Sequence, residues 1–287
     1  MVIKTFEAFA GYGSQLMALK RLERDYPEVH FEPIGISEID ENPIKAYKAV
    51  HGDITNYGDI SKIDWNNVPD FDLFTYTWPC QDVSSSGYQK GFAEGSGTRS
   101  GLLWECTKAI ITKRPKYLLM ENVKAICNKK FMPDFQKWLD FLAEQGYSSK
   151  WQVLNSKKYG IPQNRERTFC VSILGDDTYQ FPEPFELKKH IKDILENPLD
   201  PDSFYNKDYL QNLHWFDNSG KTYKNDSIIK LGNMFPSNHQ SGTIYDINGC
   251  CGTIMLHHGT GTLVAIPDNN GGYKVKKLST REMFRGM

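Results

Sequence analysis

Short apolar runs alternate with amphipathic stretches up to Gly175, the pattern of a parallel sheet covered by helices. VIKTFEAF (2–9) reads as a first strand, and 14–26 as a helix with Leu16, Leu19 and Leu22 at helical spacing. FEPIGIS (31–37) is the next strand, followed by a short helix that Pro43 opens and that runs to Val50. FDLFTYT (71–77) is another strand, 102–113 its crossover helix, and KYLLME (116–121) the strand after it. From Pro133 to Gln145 the pattern predicts a helix whose Phe135, Trp138, Leu139 and Leu142 share one face before Gly146 stops it. WQVL (151–154) and RTFCVSIL (167–174) then read as a hairpin-like pair.

Past Gly175 the periodicity fades, and Pro182, Pro184, Pro198 and Pro201 stand among many Asn, Asp, Ser and Gly residues up to Gly272. This texture predicts a second, smaller and irregular unit. The expected division is 1–175, 176–272 and a closing segment 273–287. Within the first unit the Ser/Gly-rich stretch 84–101 interrupts the pattern, and a loop of that length is generally functional or disordered.

Composition adds mainly exclusions. A chain of 287 residues suits two domains, or one large domain with an insertion. With 39% hydrophobic and 24% charged residues, disorder, collagen-like repeats and coiled coil are excluded. No apolar run approaches the roughly 18 residues of a membrane span. MVIKTFEAF lacks the layout of a signal peptide, so a cytoplasmic location is expected. The net charge of −1 argues against a uniformly basic nucleic-acid coat and leaves room for one basic cleft. The six cysteines include no CxxC pair, so neither a metal site nor a disulfide frame is expected.

Candidate chemistry gathers at strand ends. Phe9-Ala10-Gly11-Tyr12-Gly13-Ser14 lies between the first strand and first helix, where glycines let a ligand approach the backbone and the helix N-terminus. A tight turn is the plainer reading, because the third glycine of a dinucleotide fingerprint is missing. Glu38 stands where an acid accepts hydrogen bonds from ribose hydroxyls, against a solvated loop acid as the alternative. Asp59, in Tyr57-Gly58-Asp59-Ile60, is either an adenine contact or a turn aspartate. Pro79 ends a strand and puts Cys80 into the Ser/Gly loop rather than the core. In Glu121-Asn122-Val123 a carboxylate is available to protonate or hydrogen-bond a substrate, with Asn122 as a helix N-cap the alternative. Gly11, Glu38, Cys80 and Glu121 all follow the carboxyl ends of separate predicted strands. In an open parallel sheet those ends share the edge at which ligands bind.

Taken in order, these motifs resemble those of the DNA cytosine-5 methyltransferases of bacterial and phage restriction-modification type. FAGYGS matches the cofactor loop, Glu38 and Asp59 the cofactor acids, PCQ the nucleophile motif and ENV the next. QNRER (163–167) matches a QxRxR motif, and KKLSTREMFR (276–285) the segment after the recognition region. The resemblance implies an α/β fold with a doubly wound, mostly parallel, Rossmann-like sheet, and a target-recognition domain over 176–272. It implies S-adenosylmethionine held by Phe9, Ala10, Gly11, Gly13, Glu38, Ile39, Asp59, Ile60 and Pro79. Cys80 is then the nucleophile toward carbon 6 of cytosine. Glu121 engages the base edge, and Arg167 with Arg165 holds its carbonyl or nearby phosphates. Double-stranded DNA is the implied partner, its target base flipped out. Ser84, Ser86, Gln89, Lys90, Arg99, Gln163 and Thr253 are its expected contacts.

The chain departs from the family pattern at Phe284-Arg285-Gly286-Met287, where a later Gly-Asn-Ser-Val-like motif is not reached and the earlier Gly232-Asn233 is out of order. The expectations are a lost tail, a second subunit that completes the cofactor pocket, or lost activity. Trp78 stands where smaller residues or Phe are usual, and Tyr88 where a basic residue is common. Besides a DNA methyltransferase, an inactive or split DNA-binding subunit and a tRNA cytosine-5 methyltransferase stay open.

Overall fold

The computed structural model describes residues 1–84, 87–175, 178–205, 213–238, 240–254, 261–268 and 270–286. The chain forms two compact units, one of 1–153 with 167–181, the other of 154–166 with 182–287.

The first unit is built on strands β1 (Val2–Ala8), β2 (His30–Ser37), β3 (Leu73–Tyr76), β4 (Tyr117–Val123), β5 (Tyr147–Asn155) and β6 (Glu166–Leu174), in the order β2-β1-β3-β4-β6-β5. Neighbours among β2, β1, β3 and β4 run parallel, and β6 is antiparallel to β4. Residues of β1 from Thr5 to Ala8 and all of β3 are buried, as expected for central strands covered on both faces. Helices α1 (Ser14–Asp25), α2 (Glu41–His51), α3 (Cys106–Lys113) and α4 (Met132–Glu144) complete the unit.

Helix α4 buries Phe135, Trp138 and Leu142 completely, each contributing about 1.5–3 kcal/mol. Phe6, Trp65, Phe71 and Phe74 pack with ring centroids 5.1–6.4 Å apart. Helix α2 begins ahead of Pro43, because the Asp40 carboxylate caps it by accepting from the Asn42 amide. The helix expected over 102–113 is divided. Ser100–Glu105 is a 3₁₀ segment, and only the following residues are α-helical.

The second unit carries a sheet of β7 (His214–Trp215), β8 (Lys230–Asn233), β9 (Thr243–Asp246), β10 (Leu263–Pro267) and β11 (Tyr273–Lys277), in the order β11-β10-β9-β8-β7. Only β9 and β10 pair in parallel. The expectation of an irregular unit is corrected here. Strands of two to five residues are too short to display alternation in a sequence.

The expected boundaries also shift. Residues 154–166 join the second unit, where the Cys251 amide donates to the Pro162 carbonyl at 3.0 Å and the Asn164 amide to the Cys251 carbonyl at 2.8 Å. The segment expected to return to the first unit from residue 273 stays in the second: β11 pairs with β10, and α5 (Thr280–Arg285) follows it. A Ser279–Glu282 capping box opens α5, and Glu282 takes both its oxygens to the buried Lys276 ammonium at 2.6 and 2.7 Å.

Candidate active site

Register brings the candidate residues to one edge of the first sheet. Ala8 pairs with Ser37 on one side and Tyr76 on the other, and Tyr76 pairs with Met120. The residues immediately past those positions are Phe9, Glu38, Thr77 and Glu121.

The β1–α1 loop is held open by two left-handed glycines. Gly11 has φ +57°, and a Cβ added there meets nothing within 4 Å, so the backbone faces open space. Gly13 has φ +81°, and its Cβ would lie 2.5 Å from His51 and 2.6 Å from Tyr47, so only glycine lets α1 start against α2. The Gly11 amide donates to Glu38 Oε2 at 2.9 Å, while Ile39 and Asp40 donate to Oε1 at 2.8 and 2.9 Å. A carboxylate offers about four acceptor positions, and the bonds among the described residues use three of them, leaving one on Oε2. Ile39 beside it is 73% exposed. Asp59 caps a short turn by accepting from the Ser61 amide and hydroxyl, which holds its carboxyl below the usual range. Ile60 has its side chain in the core, which leaves only its backbone for a ligand.

Beneath the loop, Glu7 is buried, accepting from the Leu16 amide at 3.1 Å and the Tyr47 hydroxyl at 2.7 Å. Burial pushes its carboxyl up to about 7, against the pull of those two donors.

Cys80 opens a turn in which the Val83 and Ser84 amides both donate to its carbonyl, at 3.1 and 2.8 Å. The preceding Pro79 carbonyl accepts from the buried Ser100 hydroxyl at 2.6 Å, and the Trp78 carbonyl from the Asn122 side chain at 2.9 Å. Asn122 does not cap a helix, as the alternative reading had it; it ties β4 to the chain entering Cys80. All six cysteines are free thiols.

On β4 and β6, Arg167 Nε lies 3.1 Å from Glu121 Oε1, both side chains about one-fifth exposed. Val123 is the partner of Arg167 in the ladder, so Glu121 is its diagonal neighbour. Arg165 belongs to the second unit, where its carbonyl accepts from the Ser156 amide.

The Ser/Gly loop is laced together at its base. Asp82 and Ser100 exchange hydrogen bonds, and Arg99 donates to the Gln81 side chain at 3.1 Å. Lys130 donates to the Gln89 carbonyl at 2.8 Å, and Lys90 lies over the Tyr88 ring. Ser86 lies outside the described residues. Gln163 is not a surface contact: it is 1% exposed, with its amide nitrogen donating to the Gly286 carbonyl at 2.7 Å and its oxygen accepting from the Ile254 amide at 3.2 Å. Thr253 is half-buried outside any strand, and its hydroxyl donates to the Asn164 carbonyl at 3.0 Å. Ser100 and the clamp formed by Asn122 went unread in the sequence, since no periodicity or motif marks a side chain that bonds distant backbone.

Among the described residues, no group of three or more His, Cys, Asp and Glu side chains is arranged to hold a metal ion. No helix among them is long and apolar enough to cross a membrane.

A family model described as C-5 cytosine-specific DNA methylase matches residues 3–287. The chain is 38% identical over 260 residues to the type II methyltransferase M2.ScrFI of Lactococcus lactis subsp. cremoris, covering 72% of this chain and 71% of the relative. It is 29% identical to the type II methyltransferase M.HhaI of Haemophilus parahaemolyticus, covering 99% and 83%. Among solved structures, the Entamoeba histolytica methyltransferase EhMeth superposes with a TM-score of 0.70 at 15% identity, over 99% of this chain and 85% of that one. The S. pombe Dnmt2 methyltransferase gives 0.66 at 17% identity with the same coverage. At such identities these structures speak for the fold.

Proposed function

This chain belongs to the C-5 cytosine-specific DNA methylase family, and from that premise we propose that it methylates carbon 5 of a cytosine flipped out of duplex DNA, through a covalent bond to Cys80. The observation that carries the reading is the pairing of Glu121, on the strand β4 next to β3, with Arg167 on β6, with Asn122 joining β4 to the chain that leads into Cys80.

The family uses S-adenosylmethionine, and the residues at the sheet edge fit it. The open space over Gly11 admits a ligand to the backbone, the last acceptor position of Glu38 suits a ribose hydroxyl, and exposed Ile39 suits the face of an adenine. Asp59 and the Ile60 backbone would take the adenine edge. Phe9, Ala10, Gly13 and Pro79 would shape the remaining wall. When bound, S-adenosylmethionine supplies an electrophilic methyl group on its sulfonium.

Carbon 5 of cytosine is too weak a nucleophile to accept that group unaided. The Cys80 thiolate forms a bond to carbon 6, and the displaced π electrons raise the electron density at carbon 5. Glu121 holds ring nitrogen 3 and the amino group, offsetting the charge that develops in the ring. Arg167 keeps Glu121 oriented and extends its guanidinium fork to the base carbonyl. Once carbon 5 carries the methyl group, loss of its proton re-forms the ring double bond and expels Cys80 as thiolate. A nucleophilic thiol of this kind suits the reducing cytoplasm.

A stacked cytosine hides carbon 6, so the target base must leave the duplex. Ser84, Gln89, Lys90 and Arg99 would contact the DNA from the Ser/Gly loop, which closes over the flipped base. The second unit, with Arg165 and Thr253, would act as the target-recognition domain that reads base edges in the major groove.

The test is a duplex carrying 5-fluorocytosine, incubated with radiolabelled S-adenosylmethionine. Fluorine blocks the proton loss that frees Cys80, so a denaturation-resistant protein–DNA adduct is expected from the native chain and none from Cys80→Ser. Retained turnover in Cys80→Ser would refute the nucleophile, and preferential labelling of RNA would replace the substrate.

A further inference from the structure

Asn56 belongs to none of the motifs, yet its side chain makes three hydrogen bonds to the backbone around the candidate cofactor acids. Its Oδ1 accepts from the Glu38 amide at 3.1 Å and from the Gly58 amide at 3.0 Å, and its Nδ2 donates to the Glu38 carbonyl at 3.0 Å. The strand above it supports the same arrangement. Strand β2 is the edge of its sheet, and the segment 55–57 runs along that edge in parallel, with the Ile36 amide donating to the Thr55 carbonyl and the Tyr57 amide to the Ile36 carbonyl. The Ser37 hydroxyl closes the far side by donating to the Gly58 carbonyl at 2.6 Å.

Glu38 and Asp59 are separated by a helix and a turn, and the pairing of 55–57 with β2 brings their loops together. At the loop ends themselves a single amide side chain bonds both the Glu38 backbone, whose carboxylate the Gly11, Ile39 and Asp40 amides hold, and the residue preceding Asp59. Asparagine suits the position because one carbonyl oxygen serves two amides while its NH₂ group serves a carbonyl. We propose that Asn56 is a positioning residue for the nucleoside of the methyl donor: it sets the Glu38 carboxylate at the spacing from Asp59 that a ribose and its adenine require. This rests on the reading of Glu38 and Asp59 as the nucleoside contacts.

The position predicts a specific kinetic pattern. Asn56 touches neither Cys80 nor the Ser/Gly loop by any hydrogen bond among the described residues, so its loss acts on cofactor affinity and not on base chemistry. Losing this brace loosens the nucleoside contacts without removing them, so affinity falls by about tenfold. Asn56→Leu, close in size and without polar atoms, is expected to raise KM for S-adenosylmethionine about tenfold. Its kcat at saturating cofactor and its KM for DNA stay within about twofold. Asn56→Asp keeps the double acceptor and loses the donor, and gives an intermediate rise.

Two further measurements separate positioning from general support of the fold. First, preference for S-adenosylmethionine over an analogue whose ribose lacks both hydroxyls should shrink in Asn56→Leu to that of Glu38→Gln. Second, Asn56→Leu combined with Glu38→Gln should be no worse than Glu38→Gln alone. Penalties that add in full, or a fall in kcat and rise in DNA KM in both Asn56 variants, would overturn the assignment. If Glu38→Gln raises the cofactor KM and neither Asn56 variant does, only the role of Asn56 falls. If Glu38→Gln leaves the cofactor KM unchanged, the reading of Glu38 fails and the role of Asn56 fails with it.

Discussion

The Asn122 side chain donates to the Trp78 carbonyl at 2.9 Å, so the strand that carries Glu121 also holds the chain that leads into Pro79 and Cys80. Asn122 is 3% exposed, and its own oxygen accepts from the Val123 amide at 2.8 Å. Asn122→Leu deprives the Trp78 carbonyl of this partner in a buried setting, costing about 1–3 kcal/mol. The larger consequence is for geometry, since displacing a reacting group by about 1 Å costs on the order of a hundredfold in rate. Single-turnover methyl transfer is expected to fall by about that much while S-adenosylmethionine binding is retained. A native single-turnover rate in a folded Asn122→Leu protein would show that Cys80 is held by other means.

Glu7 gives the first unit a pH-dependent stability. Burial raises its carboxyl from an ordinary 4.5 to about 7 in the folded chain. The folded state therefore binds a proton more tightly than the unfolded one. The contribution is fully present below pH 4.5 and is lost as pH rises through 7, an effect on the order of 3 kcal/mol. Glu7→Gln should flatten this dependence, because its amide can still accept from the Leu16 amide and meet the Tyr47 hydroxyl. Urea midpoints measured between pH 5 and 8 decide the matter: parallel profiles for the native chain and Glu7→Gln would mean that Glu7 keeps an ordinary carboxyl in the fold.

The four parallel strands were legible because each is a short, largely apolar run bounded by a turn residue, and the acids and thiol at their ends were legible because position after a strand has a geometric meaning. The side chains that hold those residues in place were not. Asn56, Ser100 and Asn122 act on backbone 18 to 44 residues away, and contacts of that kind leave no trace in periodicity. The sheet of the second unit was hidden for a different reason. Its strands are short and are separated by Asn-, Asp- and Gly-rich turns, so the composition of the loops masks the alternation of the strands. Leu22 keeps helical spacing with Leu16 and Leu19 as read, and is 44% exposed where those two are buried, so spacing marks the helix without marking the end of its buried stripe.

Gln163 offers a test between a DNA contact and an internal brace. Its two side-chain hydrogen bonds join the loop before Arg165 to Ile254 and to Gly286, all within the second unit. Gln163→Leu leaves two buried backbone groups without these partners and is expected to destabilise that unit by about 2–4 kcal/mol. A side chain that touches no DNA leaves the affinity of the folded protein for DNA as it was. Titrations of a labelled duplex, scaled to the folded fraction, should therefore give the native Kd, and a Kd raised about tenfold would return Gln163 to the list of DNA contacts.

Lys276 and Glu282 are both fully buried and paired at 2.6 Å, the one arrangement in which such charges are tolerated. Glu282 has further duties, accepting from the Ser279 amide at 2.8 Å and the Glu196 amide at 2.9 Å. Glu282→Ala strands the Lys276 ammonium and both amides, and should cost about 3–5 kcal/mol. Adding Lys276→Met removes the stranded charge, so the double variant should recover part of that loss and not all of it. Trp215 is the single tryptophan in the second unit's sequence ranges, and in a protein whose other tryptophans are replaced by phenylalanine its fluorescence reports urea unfolding of that unit. A double variant less stable than Glu282→Ala alone would show that the unit depends on the packed stem of Lys276 rather than on neutralising its charge.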